Sequence, residues 1–343
     1  MSKALSPLLL TAIERYAAAR EAKADLAKPI ADFIAATENQ SPASIADADG
    51  AIASAAGLWS WSQKLSWFDR NVLGKRSDRD LLDEVPGLPF LFLFHKNGFL
   101  RQAALERISG PIPNAFLVAA LAWRRNDWVH QVRSSAKACM DRCLPFTSPD
   151  VLSVFFLETA GRRSTWRRWS DAERQSMDAL VARPEAVAEI VAQLLRQRNG
   201  PLPSWLRSLL QYEWIDPHLK LLAVEAKISG VRAVALQTLA YGYARSTDGS
   251  GERFWIDKPM GISGWRPRVW QRALTIHSDR SEAIRSGLRD RSTAVRKVAL
   301  EAIIDHASHD TDLIALAGSF LNDRSTSIRS KAAFIVERMK QAH

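Results

Sequence analysis

The sequence predicts an all-α protein: a right-handed α-solenoid of stacked helical hairpins behind a helical N-terminal cap. Three observations predict it. A seven-residue string near the C-terminus recurs 33 residues later. Hydrophobe–arginine pairs keep related spacings upstream of it. Alanine and leucine are abundant while few stretches alternate with period two, which favours helix over strand. With 47% hydrophobic and 24% charged residues, the chain has a globular balance and not a disordered one.

The recurring string is Asp290-Arg291-Ser292-Thr293-Ala294-Val295-Arg296, matched by Asp323-Arg324-Ser325-Thr326-Ser327-Ile328-Arg329. Leu288 and Leu321 share the offset, as do Ala299 and Ala332. Such a string reads as a helix start, because Asp290 or Ser292 can accept orphan N–H bonds of the first turn. Val295, Val298, Ala299 and Ala302 then fall on one apolar stripe, with Arg296 beside it. Each unit is expected to be two antiparallel helices joined by the Asp-Arg-Ser linker. Echoes occur at Leu100-Arg101, Val132-Arg133 and Val231-Arg232, with a degraded copy at Val269-Trp270 followed by Arg272-Ala273-Leu274. Trp166-Arg167 and Leu206-Arg207 fall in the gap. The pairs at 100, 132, 231, 295 and 328 lie 32, 99, 64 and 33 residues apart, all near multiples of 33.

This pattern resembles the second-helix signature of HEAT repeats, including the HEAT-like repeats of the PBS-lyase type. Asp290, Val295, Arg296, Ala299 and Leu300 carry the resemblance best, followed by Asp323, Ile328, Arg329 and Ala332. It spans residues 95–343, with declining clarity toward the middle. The resemblance implies an α-solenoid whose curved inner face binds proteins or nucleic acids. It also implies a structural role for Asp290, Arg296, Asp323 and Arg329, the arginine of one repeat bonding the aspartate of its neighbour. A fold of this kind specifies no reaction.

Residues 1–94 are expected to form the cap, with helices over Leu5–Ala27 and Pro29–Thr37 and a loop over residues 38–57, where Ser, Pro, Asp and Gly gather. Trp59, Trp61, Trp67 and Phe68 then cluster, as suits the covered end of a repeat array. Residues 246–267, which contain Asp248-Gly249-Ser250-Gly251, read as a long loop inserted in the array. The apolar run Leu88–Phe94 is too short to span a bilayer. No membrane segment or signal peptide stands out, which makes the cytoplasm the expected compartment. Cys139 and Cys143 share a helix face and read as small core residues.

The formal charge of +10 is unevenly placed. Residues 1–94 hold 10 basic and 12 acidic side chains, and residues 95–343 hold 37 and 25. A net of −2 thus precedes a net of +12, which favours an acidic partner for the repeat region. The basic residues that the repeat does not demand are the candidate contacts: Arg124, Arg125, Arg162, Arg163, Arg167, Arg168, Arg266, Arg268 and Arg272. Trp166, Trp169, Trp265 and Trp270 are interleaved with them, a combination that suits phosphate binding and base stacking.

Motifs for chemistry are missing. There is no phosphate-binding Gly-x-x-x-x-Gly-Lys loop, no Gly-x-Ser-x-Gly elbow and no His-Glu-x-x-His. His306 and His309 sit beside Asp305, Asp310 and Asp312 at an expected helix end, where capping explains them. No metal or cofactor is expected. Trp123, Asp127, Arg162, Arg163 and Trp205 resemble, in type and order, the groove residues of HEAT-like alkylpurine DNA glycosylases. The chain departs from that family at Ser134-Ser135-Ala136, where Arg133 stands in the aspartate's place. The expected function is a non-catalytic binding scaffold. Its partner would be a protein, a nucleic-acid backbone, or both.

Overall fold

The computed structural model describes residues 4–59, 77–162, 165–307 and 309–341. The chain divides into two compact units, Met1–Ala186 and Val187–His343. The expected boundary near residue 94 is therefore corrected, and the reason is a shared core. Leu9, Ile30 and Ile52 are buried in one cluster with Leu91, Phe92, Leu105 and Phe116, so the N-terminal helices and the first repeat-like helices form one body.

In the first unit, α1 (Pro7–Glu21) starts where the Ser6 hydroxyl accepts the Leu9 N–H, with Pro7 at the first helical position. It packs against α2 (Ala27–Thr37). Helix α3 (Ile45–Ala55) replaces the loop expected over residues 38–57. Ile45, Ala48 and Ile52 recur at helical spacing and are buried, and that stripe overrides the Ser, Asp and Gly between them. Then come α4 (Asp78–Glu84), held by a Ser77–Asp80 capping box, and α5 (Leu88–Phe92), which buries much of the Leu88–Phe94 run. Helix α6 (Gly98–Arg107) lies beside α8 (His130–Cys143), and α7 (Ala115–Arg125) packs on both α8 and α9 (Pro149–Thr159). Helix α7 is buried on nearly every face, as befits a central element. Helix α10 (Asp171–Val181) follows, opened by a Ser170–Glu173 capping box.

The second unit begins within α11 (Pro184–Arg196) and continues through α12 (Leu202–Leu209), α13 (Leu219–Glu225) and α14 (Ser229–Tyr241). After an excursion into strands come α15 (Arg280–Leu288), α16 (Thr293–His306), α17 (Thr311–Gly318) and α18 (Thr326–Gln341). Helices α14, α16 and α18 touch in succession, as do α13, α15 and α17, and each member of one row packs on its sequence partner in the other. Leu236, Ala299, Leu300, Ile303, Leu313 and Ile328 fill the space between the rows. Both units are mostly helical.

The expected loop at 246–267 is instead an antiparallel ribbon, β1 (Tyr243–Asp257) with β2 (Ile262–Ala273). Val269, Trp270, Arg272 and Ala273 belong to β2, so the degraded repeat copy read there is corrected to strand. Gly242 makes the transition. Its φ of 76° ends α14 in the left-handed region, a conformation that a residue with Cβ adopts only at a cost. Among the described residues no helix is long and apolar enough to cross a membrane.

Candidate interaction site

The arginines sort into two classes, and the first is used up inside the protein. Arg101, Arg133, Arg232, Arg296 and Arg329 make the same contact. In each, Nη1 donates to the carbonyls six and five residues back, at 2.7 and 3.0 Å for Arg101 and at 3.1 Å to both for Arg296. The side chain thereby ties down the turn leading into its own helix. Three of them also reach the next such turn. Arg101 meets Asp127 at 2.9 Å, Arg232 grips Asp290 at 2.7 and 3.0 Å, and Arg296 meets Asp323 at 3.0 Å. Each aspartate also accepts the backbone N–H two residues on: Val129, Ser292 and Ser325. The result is a ladder of guanidinium–carboxylate rungs joining successive helical pairs. Burial raises the Asp290 carboxyl, but the Arg232 bonds and the Ser292 N–H outweigh it and leave it below its usual range.

Several residues expected to face a partner are also committed internally, which corrects their assignment. Arg124 is buried between Asp49 at 2.6 Å and Asp127 at 3.2 Å. Arg125 is buried against Glu173. Trp166 and Trp169 are buried and meet edge-on, with Trp123 also against Trp166. Arg272 anchors the ribbon. Its guanidinium holds Asp216 at 2.7 and 2.8 Å and donates to the Leu210 and Tyr212 carbonyls. Trp270 is half-buried. Arg162, Arg167 and Arg168 are exposed, Arg168 bonding Asn126, and Arg163 lies outside the described residues. Trp59 is exposed with the Lys96 ammonium 5.5 Å from its ring, whereas Trp61, Trp67 and Phe68 lie outside the described residues.

Beyond its anchor the ribbon exposes arginines and large apolar side chains together. Arg253 pairs with Trp265 and Trp255 with Ser263, so these four side chains share one face. Arg253 lies 4.9 Å over the Trp255 ring and donates from Nε to the Ser263 hydroxyl at 2.7 Å. Trp265 lies across Gly251, where a Cβ would come within 2.4 Å of the indole. Its side chain is nevertheless 67% exposed. On the opposite face Phe254 covers Gly264 in the same manner, with the Arg266 guanidinium 5.1 Å from its ring. Arg266 and Arg268 are exposed. Ile256, Met260 and Ile262 lie about the exposed Lys258-Pro259 turn. Large apolar side chains on both faces of a two-stranded ribbon form the kind of surface that a partner covers. Spacing alone missed Arg253 and Phe254. Their signal was two aromatic-rich runs flanking Lys258-Pro259-Met260-Gly261, the pattern of a hairpin.

The remaining candidates for chemistry are occupied. Both Asp127 oxygens face guanidinium groups at 2.9 and 3.2 Å, so this carboxylate is committed within the fold. His306 packs against Tyr241 and Tyr243, and Asp310 caps α17 through the Leu313 N–H. Cys139 and Cys143 are buried with sulfurs 4.0 Å apart, and burial pushes the Cys139 thiol up to about 12. Among the described residues no group of three or more His, Cys, Asp or Glu is placed to hold a metal ion. Set against family models, curated proteins and solved structures, the chain matches none.

Proposed function

We propose that this chain is a non-catalytic binding scaffold: a right-handed, HEAT-like α-solenoid that holds a macromolecular partner on a basic, aromatic ribbon. The observation that carries this reading is the contrast between the two classes of arginine. The ladder arginines are spent on carboxylates and carbonyls of the fold, whereas Arg253, Arg266 and Arg268 stand on an exposed ribbon with Trp255, Trp265 and Phe254. The repeated Nη1 turn contact, the Arg232–Asp290 and Arg296–Asp323 rungs and the two rows of helices support the solenoid reading, because a repeat array reuses the same contacts from one unit to the next.

The test is a photocrosslinking residue placed at Trp265 and, as a control, at Phe334 on α18, in cells that express the full chain. One defined macromolecule joined at Trp265 and absent from Phe334 is the expected result. Equal labelling at both positions, or none at either, contradicts the reading. A rival reading makes the chain an alkylpurine glycosylase. Release of a modified base from alkylated duplex DNA would support that rival and end the non-catalytic one.

A further inference from the structure

We propose that the ribbon's partner is single-stranded nucleic acid, with an unpaired base stacked on Trp265 beside Arg253 and with phosphates further along the strand held by Arg266 and Arg268 where it wraps onto the opposite face. This inference rests on the reading of the ribbon as the contact arm and assigns its ligand.

The choice of ligand follows from how the rings are held. Trp265 is seated on Gly251, so its inner face is fixed against backbone while its outer side stays open to solvent. A fixed indole with one open face is a stacking platform, and every base offers a π-face to it. Stacking there needs a base already out of the duplex, which favours a single strand. Charge points the same way. With Arg272 spent on Asp216, residues 243–273 hold Arg245, Arg253, Lys258, Arg266 and Arg268 against Asp248, Glu252 and Asp257, five basic to three acidic. Guanidinium groups flank the rings on both faces: Arg253 over Trp255 beside Trp265, and Arg266 over Phe254. The Ser263 hydroxyl fixes the Arg253 guanidinium beside the indole. Arg253 accompanies the two tryptophans on one face and Arg266 accompanies Phe254 on the other, so a flexible strand, unlike a stiff duplex, can meet both sets by wrapping the two-stranded ribbon.

The other occupants fit less well. A lipid surface would have to admit the exposed Lys258 at the turn, the part of the ribbon that would enter first. A peptide adding a third strand needs an unbroken edge. Pro267 offers no N–H, and the register shifts between Thr247 and Gly251 and again between Trp255 and Asp257.

The experiment is fluorescence anisotropy of the full chain with three labelled probes: a 20-nucleotide oligo-dT, a 20-base-pair duplex, and vesicles of anionic phospholipid. The expected result is tighter binding of oligo-dT than of duplex. With about three phosphates neutralised, affinity should fall roughly 20-fold between 50 and 200 mM salt. Trp265→Ala should weaken oligo-dT binding roughly ten-fold or more, and Arg268→Gln should reduce the log–log salt slope by about 0.7. Gly251→Val, which removes the seat of the indole, should weaken binding while leaving Trp265 in place. Each variant should keep the parent's thermal transition, because these side chains lie outside the helical core. No oligo-dT binding at 50 mM salt, duplex bound as tightly as the single strand, vesicles bound with oligo-dT ignored, or an unaltered Trp265→Ala variant would overturn the assignment. The two readings fail separately. A single protein crosslinked at Trp265, with no oligo-dT bound, would leave the scaffold standing and remove the nucleic acid.

Discussion

The guanidinium of Arg232 illustrates how one side chain organises this protein. One of its nitrogens closes the turn before its own helix, and the other two grip Asp290 in the turn that opens the next pair. Removing one partner of such a buried pair leaves an uncompensated charge. Asp290→Ala is therefore expected to destabilise the second unit by about 3 kcal/mol. Asp127→Ala should cost the first unit more, because that carboxylate faces both Arg101 and Arg124 in a nearly dry site. Calorimetry of the full-length variants checks the ranking, and a smaller loss for Asp127→Ala would contradict it. The same geometry sets the acid response. Burial opposes ionisation of Asp290 and Asp216, but their arginine and N–H partners prevail and lower both. Carboxyls with depressed values stabilise the fold above about pH 4, and that contribution is lost as pH falls through the folded values. Hydrogen exchange of α14 and α16 should therefore quicken between pH 4 and pH 2.5 beyond the intrinsic trend. In Asp290→Asn the change should be smaller, and an equal change in both proteins would contradict the assignment.

At the scale of elements, helices were more legible than the ribbon. Val295, Ala299 and Ala302 are a stripe of period near 3.6, and the structure buries all three in α16. The ribbon escaped for a specific reason. Val269-Trp270 followed by Ala273-Leu274 mimics the hydrophobe–arginine string of a repeat, so one β-strand could pass as a worn helix. The period-two signal was broken by Gly251, Pro267 and Gly264, the residues that make the register irregular or give the rings room. Arg124 and Arg125 were misjudged because charge alone cannot separate a cation facing water from one buried against Asp49 or Glu173. Helix α3 escaped because Asp47, Asp49, Gly50 and Ser54 interrupt an apolar stripe made largely of alanine. The ribbon is expected to be an appendage in energetic terms, since Arg272 and Asp216 tie only its base to the helices. Replacing residues 247–269 with an Asn-Gly turn should leave the thermal transition within about 2 °C of the parent, because few core groups are lost. Gly242→Val should be more damaging. It forces φ of 76° on a β-branched residue and drives Cβ into the Arg280 guanidinium, 2.6 Å away at its nearest atom. A larger loss from shortening the ribbon than from Gly242→Val would reverse this picture.

For the whole molecule, net charge proved an incomplete guide. The excess of +12 over residues 95–343 includes cations that the fold itself consumes, those of the ladder and of the Arg272 anchor. Of the cations left exposed, which also include Arg162, Arg167 and Arg168, we propose that those on the ribbon meet the partner. The central claim is that binding is carried there and not on the helices. Its most direct test is hydrogen–deuterium exchange of the full chain with and without saturating oligo-dT at low salt. Slowed exchange confined to residues 251–269, with α14, α16 and α18 unchanged, is the predicted result. Protection spread over those helices, with the ribbon exchanging as before, would contradict it.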